Sequence, residues 1–448
     1  MQEKILQDNT NEMIKTLAKL VEIRSEKADP EPRKPFGPGP YEALEAFIEE
    51  AARLGFRTGR SDGYAAWLEF GPEDKDMVGA VCHLDVVPAQ GWEDAYQFKV
   101  QDNRLIGRGS MDDKGPAVAV LYAMKELMDE VESGQRPKPA SRIRLILGAD
   151  EESGSQCMAH YVEHEEIPLA AFTADADFPV IHGEKGLLTF TLHYDGLAAE
   201  AKVGALAKVE AGTRSNVIPG EAYFSFYNKQ LDLEENEVIG KMGHASMPQL
   251  AENAILKGLV QCYEKNPEDP FLAEFMDIIG ADYWGEKLGI AGADDLSGPL
   301  TSNLGIMHYE AQNGQGKGEF VINVRYPVTW AFDSIKEKLE EKVKGSHFSL
   351  ESIHYTEPLF VPEEDPLVSI LMDAYKRVTG RSEKPLVIGG GTYARSIPNT
   401  LAFGPCFPED ENLCHQKGEY ITMETLCQSK AIYKEALWDL AQSYGNKE

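Results

Sequence analysis

Two short apolar runs, Val78–Cys82 and Ile143–Leu147, constrain this fold most tightly, because each is followed within three residues by residues of metal-ligand type. Between them lies a helical pattern opening near Pro116, with Val120, Leu121, Met124, Leu127 and Met128 on one side. Apolar runs separated by helices read as strands buried on both faces. They predict an α/β architecture: a mainly parallel sheet with helices on both faces. Further helical patterns precede it. Met13, Leu17, Leu20 and Val21 share one face of a first helix, and Leu44, Phe47, Ile48 and Ala51 that of a second. Segment 29–40 carries Pro30, Pro32, Pro35, Pro38 and Pro40 and reads as a loop, with Pro40 suited to the first turn of the second helix.

The pattern changes near residue 186. Phe190, Leu192 and Tyr194 alternate with polar residues; Tyr223, Ser225 and Phe226, then Phe320, Ile322 and Val324, follow. Alternation indicates strands with one wet face. Helices expected over 248–262 and 333–343 complete a small α+β layer. A helix over 367–378, ended by Gly380, and another after Thr422 return to the first pattern. The reading is a discontinuous α/β catalytic domain, 1–184 and 358–448, with an α+β lid domain inserted at 185–357. Gly314, Gly316 and Gly318 read as a hairpin turn, not a phosphate cradle.

Composition narrows the partners. Lys and Arg number 44 against 74 Asp and Glu, a formal charge of −30. Nucleic acid and anionic membranes need basic patches, so neither is expected. No run approaches the ~18–20 apolar residues of a spanning helix. The N-terminus MQEKILQDNT lacks the apolar core of a secretory signal. Six cysteines occur without a CxxC pair, so reduced thiols in the cytoplasm are the expectation. Cys414 adjoins His415, but adjacent residues on an extended segment point apart, which disfavours a catalytic Cys–His dyad.

The candidate chemistry sits just after predicted strands. His83 is followed by Asp85, which shares its side of an extended chain and can fix the imidazole tautomer. Alone, that pair is also an ordinary structural arrangement. Asp112 and Asp113 open the long helix, where they could simply cap it. Asp150, Glu151 and Glu152 stand in a row after 143–147, and a bound cation or a shared proton would relieve their repulsion. Asp175 follows another short apolar stretch, and His415 lies far downstream. Binding crevices of open α/β sheets lie at such strand ends.

Taken together these segments resemble the dinuclear zinc metallopeptidases that include carboxypeptidase G, aminoacylase and the PepV-type dipeptidases. The carrying motifs are HLDVVP (83–88), GRGSMDDKGP (107–116), GADEESG (148–154), TADADFP (173–179), GHASMP (243–248), INVRYP (322–327) and CHQKGE (414–419). PFGPG (35–39), FPVIHGEKG (178–186) and GGGTYAR (389–395) are most similar to the PepV branch. The resemblance implies that His83 and Asp175 hold one metal, that Glu152 and His415 hold the other, that Asp112 bridges them, and that the Asp112–Asp113 peptide bond is cis. It implies Glu151 as general base and Asp85 as the partner orienting His83. His244 would stabilise the tetrahedral oxyanion, and Arg325 would grip the substrate carboxylate. Asn216 and the glycine loop around Gly390 would line the pocket.

Imidazole and carboxylate ligands suit Zn²⁺, with Mn²⁺ or Co²⁺ as alternatives. Two such ions ~3.5–4 Å apart can clamp a carbonyl oxygen and an attacking hydroxide. The implied activity is metal-dependent hydrolysis of unblocked dipeptides, with Xaa-His and β-alanyl dipeptides as candidates within that class. An N-acyl-amino-acid amidohydrolase on the same fold is the alternative, and a non-catalytic binding protein on a decayed scaffold is a third reading. The expected state is a monomer or homodimer whose lid closes over the catalytic domain. His160-Tyr161-Val162-Glu163-His164 matches the HxxEH pattern of inverted zincins, but a surface helix explains it equally and would leave the other motifs their purpose.

Overall fold

A computed structural model describes residues 2–445, with side chains from residue 10 onward. The chain divides into two compact units. The first comprises Met1–His182, Val361–Leu386 and Thr392–Glu448; the second comprises Gly183–Phe360 and Val387–Gly391. The glycine-rich segment 387–391, placed by sequence with the catalytic domain, therefore groups with the inserted one.

In the first unit the sheet runs in the order Arg57–Ser61, Ala65–Phe70, Arg142–Gly148, Met77–His83, Ala171–Thr173, Thr400–Ala402. The last four strands are mutually parallel. The first two are antiparallel additions. Every residue of Met77–His83 and Arg142–Gly148 is buried, as the apolar runs require. The helices Lys114–Glu132 and Met423–Tyr444 pack on Met77–His83. The expected first-half helices form as Gln2–Val21 and Pro38–Arg53. Residues 57–70 gave no strand signal, because Arg57, Arg60 and Glu69 interrupt the apolar pattern. The tertiary fold explains the interruption. Glu69 is buried and accepts from Arg144 Nε at 2.9 Å and Arg142 at 3.2 Å, and the Arg144 guanidinium lies 4.0 Å over the Trp67 ring. Charges that look exposed in the sequence are neutralised between neighbouring strands.

The second unit is a seven-stranded sheet in the order Leu233–Ile239, Glu221–Tyr227, Leu206–Ala211, Thr301–Gln312, Gln315–Tyr326, Gly186–Leu197, Phe348–Thr356. All its pairs are antiparallel. Strand Gly186–Leu197 alternates buried and more exposed positions along its length. Phe190, Leu192 and Phe320 join Leu259, Phe271 and Leu339 from three helices in one core. Asn313 and Gly314, with φ 54° and 74°, make the two-residue turn joining Thr301–Gln312 to Gln315–Tyr326. That is the left-handed pair a tight hairpin needs. Gly316 and Gly318 lie within the strand instead.

One expected helix is shorter. Residues 248–250 form a single 3-10 turn, and the α-helix starts at Ala254. A bridge between Lys241 and Glu252 holds the intervening chain extended, and Asn253 caps the helix through Ile255 and Leu256 N–H. The later helices appear as Phe332–Val343, Pro366–Thr379 ended by left-handed Gly380, and Met423–Tyr444 capped by Thr422.

Candidate metal centre and active site

The parallel strands deliver their ligands at one end. His83 terminates Met77–His83 level with Gly148, and Glu151 and Glu152 form the turn just beyond it. Asp175 follows Ala171–Thr173. Asp112 stands before the helix Lys114–Glu132, and its bond to Asp113 is cis.

Asp112 sits between two imidazoles. Its Oδ1 is 2.9 Å from His83 Nε2 and its Oδ2 is 2.9 Å from His415 Nε2. Asp175 Oδ2 is 3.6 Å from His83 Nε2, and Glu152 Oε1 is 2.9 Å from His415 Nε2. Ligand atoms of His83, Asp112 and Glu152 all lie within 4.8 Å of one another, as do those of His83, Glu151 and Asp175. All six predicted centre residues thus converge within the first unit. His415 reaches it from a left-handed turn with φ 65°.

This donor set fits divalent cations. His83 Nδ1 lies 3.0 Å from the Asp85 main-chain oxygen, which fixes the proton on Nδ1 and turns the Nε2 lone pair toward carboxylate oxygens. Acceptors facing acceptors in a buried site require positive charge between them. The same crowding shifts the protonation of these groups. Burial lowers the His415 pKa, but bonds to Asp112 and Glu152 outweigh it and carry it up to about 11. Burial, then the charge of Asp112, pushes Glu152 up to about 7. Burial, then the charge of Asp175, holds Glu151 well above the usual glutamate range. Nitrogen and oxygen donors without thiolate match zinc-type catalytic centres.

Carboxylates outside the candidate ligand set hold the main chain around it. Asp85 lies beside His83 as expected and holds a turn as well. The atom nearest His83 Nδ1 is its carbonyl, while its carboxylate stands 3.5 Å away and accepts the N–H groups of Glu151 and Glu152, each at 3.1 Å. Asp113 Oδ2 accepts His83 N–H at 3.0 Å. Asp150 binds Lys27 Nζ at 2.9 Å and Gln156 N–H at 3.1 Å. Glu419 accepts Met111 and Asp112 N–H at 3.0 and 3.2 Å. Sequence reasoning gave Asp113, Asp150 and Glu419 no such task, although each lies inside a motif already singled out. Cys157 Sγ meets Tyr393 Oη at 3.0 Å, and the Tyr393 ring lies edge-on to His83, which places Cys157 in the packing beneath the site. His160 of the HxxEH pattern stacks between Tyr64 and His164, at 4.2 and 4.0 Å; the two rings are parallel neighbours, not a chelating pair.

The chain matches the peptidase family M20/M25/M40 over residues 80–439. It belongs to that family. It is therefore a hydrolase of the metallopeptidase type. M20 relatives align along almost its whole length. A Staphylococcus epidermidis protein named "Putative dipeptidase" is 34% identical over 98% of both chains. A similarly named Bacillus subtilis protein is 35% identical over 92% of this chain and 93% of its own. Among solved structures, human carnosine dipeptidase 1 superposes with TM-score 0.59 at 15% identity, covering 98% of each chain. Aminopeptidase PepT from Bacillus cereus gives 0.60 at 14%, covering 96% of this chain and 99% of the other. These superpositions establish the M20 fold.

The second unit assembles the remaining predicted residues around one ribbon. Val217 pairs with His244, and Ala245 N–H bonds to the Asn216 carbonyl at 3.0 Å. Asn303, wholly buried, donates to the carbonyls of Ser215 and Val217 on either side of Asn216. His244 Nδ1 is 2.6 Å from Ser246 Oγ. A Cβ on Gly389 would stand 3.0 Å from Ser246 Cβ, a tight approach that glycine relieves. Arg325 is buried, and its guanidinium donates to Asn323 Oδ1 at 2.9 Å and the Gly389 carbonyl at 3.0 Å. Among the described residues, no helix is long and apolar enough to cross a membrane.

Proposed function

We propose that this M20 peptidase is a dipeptidase acting on unblocked dipeptides with two divalent ions, zinc foremost. His83 and Asp175 would hold one ion, Glu152 and His415 the other, with Asp112 shared. The observation that carries the reading is the Asp112 carboxylate, one oxygen 2.9 Å from each imidazole. The ions would supply Lewis acidity, polarising the scissile carbonyl and bringing the pKa of water towards ~7.

The chain's own groups perform the proton transfers. Glu151, held well above the usual glutamate range by burial and then by the charge of Asp175, takes the proton of the attacking water and returns it to the leaving amine. His244 donates to the oxyanion of the tetrahedral intermediate. Arg325 presents a planar fork to the C-terminal carboxylate, held in plane by Asn323 and the Gly389 carbonyl. Asn216 and Gly390 line the same subsite. The names of the aligned relatives favour dipeptides over N-acyl amino acids.

The test is metal analysis of purified protein, then a substrate panel with each candidate metal restored. Cleavage of free dipeptides and not of N-acyl amino acids is expected, and the reverse would overturn the assignment. Glu151→Ala should lose at least about a hundredfold in kcat while retaining its metal; unchanged turnover would remove Glu151 from the mechanism.

A further inference from the structure

We propose that Glu419, held by Arg108, is a positioning group that keeps Asp112 and His415 in register as two sides of one metal position. The inference rests on the two-metal reading above. Glu419 is fully buried, yet nothing in the proposed chemistry uses it. A carboxylate withdrawn from water is costly unless its oxygens are paired and hydrogen-bonded. Here both are. Oε2 receives the Arg108 guanidinium at 2.5 Å. Oε1 receives the main-chain N–H groups of Met111 and of Asp112 itself. Arg108 is as deeply buried as its partner, lies 5.6 Å from the Trp92 ring, and leaves its Nε without a hydrogen bond.

The connection runs both ways along the chain. Glu419 stands four residues after His415, on the segment that turns the imidazole inward. Its carbonyl accepts Gly107 N–H at 3.1 Å, and the next strand, Tyr420–Thr422, pairs with Arg104–Ile106. One side chain and its own backbone therefore fasten the His415 segment to the Asp112 loop. The other ligands are fastened by other groups: His83 by Asp113, and the Glu151–Glu152 turn by Asp85. Loosening Glu419 should thus disturb the His415 position more than the His83–Asp175 position.

The test is calorimetric titration of the metal-free protein with Zn²⁺, supported by Co²⁺ absorption spectra. Glu419→Gln keeps volume and one acceptor oxygen but turns an NH₂ toward Arg108. It should bind the first equivalent within about threefold of wild type and the second at least about tenfold more weakly, the scale expected for groups behind metal ligands. Glu419→Ala should go further. Arg108→Lys, which keeps a cation beside Glu419, should retain most of the affinity for the second equivalent. A merely structural role would weaken both equivalents together or neither, and either result overturns the proposal. Should Glu419→Ala fail to fold, Glu419→Gln and Arg108→Lys still decide. Only one equivalent in the wild-type protein would defeat the two-metal reading itself; two in wild type with unchanged variants would defeat this inference alone.

Discussion

Asp112 and Asp113 are adjacent, share one residue type and do different work. Asp112 faces two imidazoles, whereas Asp113 turns back to the His83 main-chain N–H. Sequence singles out the pair but cannot divide the labour, since a cis bond and a helix start set the two directions. Asp112→Asn keeps the shape and loses the charge that the two proposed metal positions would share. We expect metal content to fall by at least one equivalent and turnover by about a hundredfold or more, read by elemental analysis and kinetics. Arg325 offers a second test at this scale. Arg325→Lys keeps the charge but cannot reach Asn323 Oδ1 and the Gly389 carbonyl with one planar fork. KM for dipeptides should rise about tenfold or more with a smaller change in kcat, the signature of lost ground-state binding. An equal fall in kcat would instead place Arg325 at the reacting centre.

At the level of elements, helix Lys114–Glu132 carries Asp112 and Asp113 at its head, so its seating governs the site. Its partner is Met423–Tyr444. Apolar packing supplies most of that contact, with about 1.5–3 kcal/mol for each large side chain fully buried. Glu126 adds a polar fastening, accepting Lys430 Nζ at 2.8 Å and Lys434 Nζ at 2.6 Å. Burial raises the Glu126 pKa, but the two lysines outweigh it and hold the carboxyl below the usual range. A depressed carboxylate contributes stability that is full above its unfolded pKa and lost as pH falls through the folded one. Glu126→Gln should therefore cost about 1 kcal/mol near neutral pH. Below about pH 4 that deficit should shrink. Denaturant titrations at several pH values would show it, and a deficit independent of pH would mean the lysines do not read the charge. The apolar faces of these helices were legible in the sequence. The strands over 57–70 were not, because Glu69 and Arg144 are core residues only once their strands lie side by side.

For the whole molecule, the two units carry separate interiors: the candidate metal centre belongs to the first, and the aromatic and aliphatic core around Phe190, Phe271 and Phe320 to the second. Ligands that bind only the folded state stabilise it in proportion to the logarithm of their free concentration. Chelation should accordingly lower the melting transition of the first unit and leave the second nearly unmoved. Saturating Zn²⁺ at about a thousand times Kd should restore about 4 kcal/mol for each position filled. Calorimetry with and without chelator would show the split; a shift common to all of the heat absorption would mean that the units melt together. The charge of −30 belongs to this scale too. The two proposed divalent ions would change it only from −30 to −26, so in the proposed function affinity for a peptide carboxylate would depend on local positive groups such as Arg325, not on the total.

Chain order alone determined a great deal. Buried strands and amphipathic helices follow from period and apolarity, and the ligand types at strand ends follow from residue identity, because both properties are local. Tertiary structure decided everything that depends on distance through space. It determined that Asp112 offers one oxygen to each imidazole, that Asp85 holds a turn more closely than a ring, that residues 387–391 join the second unit, and that Glu419 fastens two segments lying about 300 residues apart in the chain. A carboxylate's role is set by which donors surround it, and those donors come from remote segments whose meeting no local pattern records.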